Sequence, residues 1–241
     1  MFRSRFFRAT MLAMVAMVAA PATSEAGFSI TLSVGSDPAN RITIDDNSSG
    51  DSNSTAGLIT TSGSLAGFTY SGNFAFSNSG PSAGGSAILT ITSLTINLTG
   101  NTAKTLVITL QDTGFNSPVP GAAYVTSQLT AQSLNGATNS SAQFQSYVGG
   151  VAGTQLSVEN LGMTPGAKKF TDGMIVPSSP YTLSNVLTLN LDAGSVIQAT
   201  GSTEVTSTPA PTGLVMLAGA LPFAGLLRLR RFRKNEVATA A

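Results

Sequence analysis

The feature that most constrains this chain is a strict alternation of apolar and hydroxyl residues. Ile30, Leu32 and Val34 alternate with Ser29, Thr31 and Ser33, and Leu106, Ile108 and Leu110 alternate with Thr105 and Thr109. Leu187, Leu189 and Leu191 do the same against Thr188, Asn190 and Asp192. Successive side chains of a strand point to opposite faces, so this pattern builds sheets with one apolar face and one hydroxyl-coated face. The chain is rich in Ser, Thr, Asn and Gly and lacks the Glu, Lys and Ala runs that favour helices, which agrees with a β reading.

Parity also predicts a defect. In AILTITSLTINL, from Ala87 to Leu98, Leu89 and Ile91 are odd whereas Leu94, Ile96 and Leu98 are even. A one-residue switch near Thr92-Ser93 predicts a β-bulge there. Further strands are expected at Arg41 to Ile44, Gly67 to Phe76, Tyr124 to Leu134, Thr154 to Glu159 and Ser195 to Val205. Turn chemistry separates them at Asp37-Pro38, Ser79-Gly80-Pro81, Ser117-Pro118, Asn135-Gly136 and Asp192-Ala193-Gly194. About ten short strands with such punctuation predict an all-β fold: an antiparallel β-sandwich, jelly-roll-like or immunoglobulin-like, with a closed barrel as the alternative. The absence of a repeat of fixed period argues against a solenoid or propeller.

Charge separates a body from two ends. The 241 residues hold 12 Lys+Arg and 11 Asp+Glu. Arg3, Arg5 and Arg8 lie at the start, and Arg228, Arg230, Arg231, Arg233 and Lys234 form one run near the end. The segment from Gly27 to Thr208 keeps only Arg41, Lys104, Lys168 and Lys169 against nine acids, a net charge of −5. An acidic body with so few cations is unsuited to a run of phosphates, so no nucleic-acid partner is expected. With no His and no Cys, His-based triads, Cys nucleophiles, Cys/His zinc sites, Cys-held iron–sulfur clusters and disulfides are all excluded. No cofactor is expected.

The N-terminal arginines precede an apolar run from Ala9 to Ala20 that Pro21 ends. Twelve helical residues reach about 18 Å, short of a hydrocarbon core of roughly 30 Å, which fits a cleaved signal helix better than an anchor. Ser24 and Ala26 supply a small-x-small site, so signal peptidase cleavage is placed after Ala26, with Ala22 as the competing position. No adjacent Arg pair precedes the run, so general secretory export is expected.

From Thr208 the chain reads TPAPTGLVMLAGALPFAGLLRLRRFRK: Pro209-Ala210-Pro211, an apolar run from Gly213 to Leu227, then the basic cluster. Fifteen residues give about 22 Å of helix, and Pro222 kinks it, so the span is marginal. The cluster holds the C-terminus on the cytoplasmic side while the body lies outside. This order of Pro-x-Pro, short apolar helix and terminal arginines resembles the PEP-CTERM sorting domain, with Ala210 where that family usually has Glu. The resemblance covers Pro209 to about Lys234. It implies an exosortase-like enzyme as a partner, cutting near Pro209-Ala210-Pro211 and releasing or re-anchoring the body at the cell surface. The expected organisation is therefore a signal peptide over 1–26, a β-sandwich over 27–208, a sorting signal with a transmembrane helix over 209–234, and a tail over 235–241.

Within the body, Asp45, Asn47, Ser49, Asp51 and Asn53 alternate around Gly50, in the manner of the first nine positions of an EF-hand loop. Position 12 is Ala56 where a bidentate Glu is needed, and the flanks read as strand or coil, so an exposed Asx-rich loop is the alternative to calcium. Asp112, Glu159, Asp172, Asp192 and Glu204 are available to a carboxylate-dependent hydrolase, but no spacing selects a pair. Phe68, Tyr70, Phe74 and Phe76 alternate along one strand, which suits core packing or, if exposed, a sugar-stacking platform. Asn-x-Ser/Thr sequons at Asn47, Asn53, Asn97 and Asn139 follow from composition alone.

The sequence thus predicts a non-enzymatic, exported cell-surface or extracellular-matrix protein of structural or adhesive type, anchored in the membrane at least transiently. The alternatives are a carbohydrate-binding or calcium-dependent adhesion module, for which surface polysaccharide is the partner, and a secreted hydrolase.

Overall fold

In a computed structural model the described residues are 27–79, 85–118, 121–135, 139–176 and 179–208. The expected signal and C-terminal helices, the sorting signal and the cleavage site lie outside them. Among the described residues no helix is long and apolar enough to cross a membrane. The chain divides into two compact units, Met1–Thr206 and Ser207–Ala241.

The described residues form thirteen strands: β1 (Ser29–Val34), β2 (Arg41–Asp45), β3 (Leu58–Leu65), β4 (Phe68–Ser77), β5 (Ser86–Leu98), β6 (Lys104–Phe115), β7 (Gly121–Ser133), β8 (Ser141–Val148), β9 (Val151–Ala152), β10 (Leu156–Val158), β11 (Gly166–Val176), β12 (Tyr181–Leu191) and β13 (Val196–Ser207). They form a seven-stranded sheet, in the order β10-β8-β12-β6-β1-β2 with β9 on β8, and a six-stranded sheet, in the order β11-β7-β13-β5-β4-β3. The strand pairs are antiparallel, and the two packed sheets with their crossing connections make a jelly-roll-like sandwich, not a closed barrel.

The alternation read from the sequence becomes the inner face. Ile30, Leu32, Leu106, Ile108, Leu110, Leu187 and Leu189 point inward from one sheet and meet Leu89, Ile91, Leu94, Ile96, Leu98, Val125 and Leu129 from the other, all fully buried. Burying an aliphatic side chain of this size contributes about 1.5–3 kcal/mol, so this layer dominates the stability of the sandwich.

The expected bulge is present. Ala199 and Gly201 of β13 face Leu94 and Ile91 of β5, so Thr92 and Ser93 together oppose one residue. Ser93 takes a positive φ of 36°, and Gly72 on β4 lies so near that a Cβ there would stand 2.5 Å from the Ser93 carbonyl oxygen. The extra residue continues into β4, where Ile59 and Thr60 of β3 face Ala75 and Asn73. Parity on β4 therefore reverses along its length: Phe68 and Tyr70 are buried at even positions, Ala75 and Ser77 at odd ones.

Two further differences from the sequence reading concern extent. The strand expected over Thr154 to Glu159 shortens to Leu156–Val158, because Thr154 is instead held by Asp172, whose carboxylate accepts from its amide at 2.7 Å and its hydroxyl at 2.8 Å. Strands β3, β8 and β11 were not marked by alternation. In β3 and β8 the inward positions include Thr61 and Ser146, and β11 is exposed on both faces along most of its length.

Candidate functional site

Three polar links cross the apolar layer. Asn185 on β12 donates from Nδ2 to the Leu89 carbonyl at 2.8 Å and accepts from the Thr203 hydroxyl at 2.6 Å. Ser127 on β7 and Ser146 on β8 share a hydrogen bond of 2.7 Å. Ser77 on β4 donates to the Asp112 carboxylate on β6. All six side chains are buried, so these links fix one sheet against the other.

The five acids singled out in the sequence have separate surroundings. Asp112 faces the interior, where burial pushes its carboxyl above the usual carboxylate range. Hydrogen bonds from Ser77, Ser79 and the Thr113 amide, and the neighbouring Asp46, act secondarily. Asp172 holds Thr154, and Glu159 accepts from Ser157. Asp192 accepts from the Ser195 amide at 3.1 Å through its carbonyl in the turn after β12, and Glu204 stands exposed on β13. Among the described residues no group of three or more acids converges as a metal site.

Backbone amides hold the Asx-rich loop through its side chains. The Asp51 carboxylate accepts from the amides of Asn53 at 2.8 Å, Thr60 at 2.9 Å and Asn47 at 3.2 Å. Asp46 accepts from the Gly57 amide at 2.7 Å, and Asn53 from the Thr55 amide at 2.8 Å. Of the five positions read as calcium ligands, Asp51 and Asn53 thus use side-chain oxygens to hold the loop closed.

The aromatic stripe divides. Phe68 and Tyr70 are core, whereas Phe76, beyond the bulge, is 41% exposed; the side chain of Phe74 lies outside the described residues. The register places Phe76 in a row across the outer face of the six-stranded sheet, Ser202 beside Thr90, Thr90 beside Phe76, and Phe76 beside Leu58. Tyr124, on β7 of the same sheet, is 46% exposed between buried Ala123 and Val125, and so points outward as well.

Two strands, β13 and β5, lie between β7 and β4, which separates the two strands that carry the rings by about 14 Å at a spacing of about 4.8 Å. Around and between them lie Thr126, Gln128, Gln198, Ser202, Glu204 and Thr90. Gln132 donates to Gln198 on this face at 2.9 Å. The opposite outer face differs. Along β1, β2, β6, β8, β10 and β12 it carries no exposed large apolar side chain among the described residues.

Tyr124 was not singled out in the sequence, yet a signal was there. Its parity in β7 is that of Thr126, Gln128, Thr130 and Gln132, while Ala123, Val125, Leu129 and Ala131 occupy the buried parity. An aromatic on the polar parity of a strand is an exposed aromatic.

No protein-family model and no curated protein matches the chain. Solved structures similar to it include a CBM61 in complex with β-1,4-galactotriose, at 8% identity over 58% of this chain and 88% of that one, with a TM-score of 0.33. A xylan-binding domain from CBM22 is similar at 16% identity over 62% of this chain and 92% of that one, with a TM-score of 0.25. An arabinose-bound α-L-arabinofuranosidase is matched at 12% identity over 60% of this chain but only 24% of its own length, with a TM-score of 0.30.

Proposed function

We propose that the body is a non-catalytic polysaccharide-binding module that uses the outer face of the six-stranded sheet. The observation that supports this reading is the one-sided placement of Tyr124 and Phe76 among hydroxyl, amide and single carboxylate groups. The C–H face of a pyranose packs on an aromatic ring, and its hydroxyls exchange hydrogen bonds with Thr, Ser, Gln and Glu side chains. Two rings on strands at least about 14 Å apart suit sugar residues several units apart along an extended glycan better than one monosaccharide.

Export, sorting and anchoring belong to the same proposal. The basic, apolar and Pro-x-Pro segments at the ends deliver the body to the cell surface or matrix through signal peptidase and an exosortase-like enzyme, with Ala26 and Pro209-Ala210-Pro211 as the cut regions. The mass of the protein recovered from surface and medium fractions tests both cleavages.

The binding reading is tested by affinity electrophoresis against soluble galactan, xylan, β-glucan and uronate polymers. Retardation by at least one glycan is expected, and Tyr124→Ala or Phe76→Ala should weaken it roughly tenfold, for about 1.4 kcal/mol of lost stacking. Retardation equal in the wild type and both variants would remove the outer face from consideration.

A further inference from the structure

Strand β11 ends the six-stranded sheet, and among the described residues its backbone pairs only with β7. It is eleven residues long, and Ala167, Lys168, Lys169, Phe170 and Thr171 are all exposed. Phe170 is 46% exposed and Ile175 76%, and exposed Met163 lies in the segment leading into the strand. A long, unpaired edge is a template for another strand unless charge prevents it. We infer that β11 pairs antiparallel with β11 of a second copy of this chain, in the single register that sets Phe170 against its own symmetry mate.

The register follows from parity and charge. On an edge strand, backbone groups at alternate positions point outward, so a two-fold antiparallel pair joins only residues of equal parity. Pairing centred on Lys169 sets two lysines opposite one another, and pairing centred on Asp172 sets two aspartates opposite. Centring on Thr171 faces Lys168 with Met174 and Phe170 with Asp172. Centring on Phe170 sets Lys168 opposite Asp172 on both sides of the axis, Lys169 opposite Thr171, Ala167 opposite Gly173 and Gly166 opposite Met174. Opposite charges across an antiparallel pair are favourable and like charges unfavourable. Asp172 already accepts two hydrogen bonds from Thr154, and a carboxylate has about four acceptor positions, so two remain for lysine. Of the registers that parity allows, this one alone sets a lysine of the strand opposite its aspartate. The assembly joins two six-stranded sheets into one continuous surface.

The chain has no cysteine, which allows a register-specific test by single substitutions in the 241-residue protein. Directly opposed Cα atoms lie about 4.5–5.5 Å apart, within disulfide range. In this register Phe170→Cys should give a disulfide-linked dimer on mild oxidation, read on a non-reducing gel. Thr171→Cys places its Cα about 8 Å from its mate, beyond that range, and should cross-link at least tenfold more slowly. Adding Lys168→Glu to Phe170→Cys should lower the yield several-fold, whereas Arg41→Glu, the same charge change on β2, should not. Sedimentation equilibrium of the unsubstituted chain should show dimer, independently of how any variant folds. A monomer throughout, equal cross-linking at 170 and 171, or equal effects of the two charge changes would overturn the proposal. Glycan binding by a monomer would leave the preceding reading standing.

Discussion

Replacing Asn185 tests whether the polar links through the core hold the sandwich together. Asn185→Ala removes the acceptor of the Thr203 hydroxyl and the donor to the Leu89 carbonyl, both in a fully buried setting. An orphaned buried hydroxyl costs about 1–3 kcal/mol, and the vacated volume adds to that, so a loss of about 3 kcal/mol is expected. Thr203→Val alone leaves the Asn185 carbonyl without its donor and should cost about 1–2 kcal/mol. The double variant Asn185→Leu/Thr203→Val replaces both partners by apolar groups of similar size. It should be less destabilised than the sum of Asn185→Leu and Thr203→Val by more than about 1 kcal/mol, since neither group is left stranded. Urea unfolding with a common m-value gives the four free energies of that cycle. Strict additivity would refute the reasoning, because it would mean that the two groups exchange no energy inside the core.

Gly201 lies under Phe144 of the opposite sheet, and a Cβ there would stand 2.5 Å from the ring, so Gly201→Ala should lower stability by about 1–3 kcal/mol. Gly201→Ala combined with Phe144→Leu should recover part of that loss in the same unfolding experiment. Asp112, raised by burial, binds its proton more tightly folded than unfolded, so its contribution favours folding below about pH 4 and diminishes as pH rises through the folded pKa. The stability of the wild type relative to Asp112→Asn should therefore increase on acidification from neutral pH; a difference independent of pH would contradict the buried placement. Asp51→Ala frees three backbone amides, so hydrogen exchange should accelerate at Asn47, Asn53 and Thr60 while the core strands stay protected. Calorimetric titration of the wild type with millimolar calcium should give no heat, since the Asp51 oxygens are already engaged.

What the sequence revealed and what it hid share one cause. Alternation is visible where one face meets the apolar layer and the other meets water, as in β1, β6 and β12, and the bulge at Thr92-Ser93 was legible because it breaks that rule within one strand. The pattern fails where inward positions are polar. Ser146 in β8 and Asn185 in β12 read as surface residues until Ser127 and Thr203, 19 and 18 residues away, are brought opposite them by the other sheet. It fails again along the first half of β11, where the edge leaves both faces wet and no periodicity survives. The candidate binding face was hidden by the bulge itself: Phe68, Tyr70, Phe74 and Phe76 form one stripe in sequence, but the inserted residue reverses parity between Tyr70 and Ala75, sending Phe76 outward.

That reversal ties fold to function on a single backbone defect. The extra residue is accommodated by the positive φ of Ser93 and by the close approach of Gly72, so any Cβ at 72 both collides with the Ser93 carbonyl and acts at a φ of 145° that side chains avoid. Removing Ser93 instead, by deletion, would return β5 to one parity and leave β4 with an unmatched residue. The strand could then restore its register only by turning Phe76 inward against the layer or by exposing Leu94, Ile96 and Leu98. Exposing three fully buried aliphatics costs about 5–9 kcal/mol, comparable to the whole stability of a domain, so Phe76 is the side chain that must move. The outward ring at 76 and the buried row at 94, 96 and 98 are thus two consequences of the same inserted residue, and the binding face is built by it.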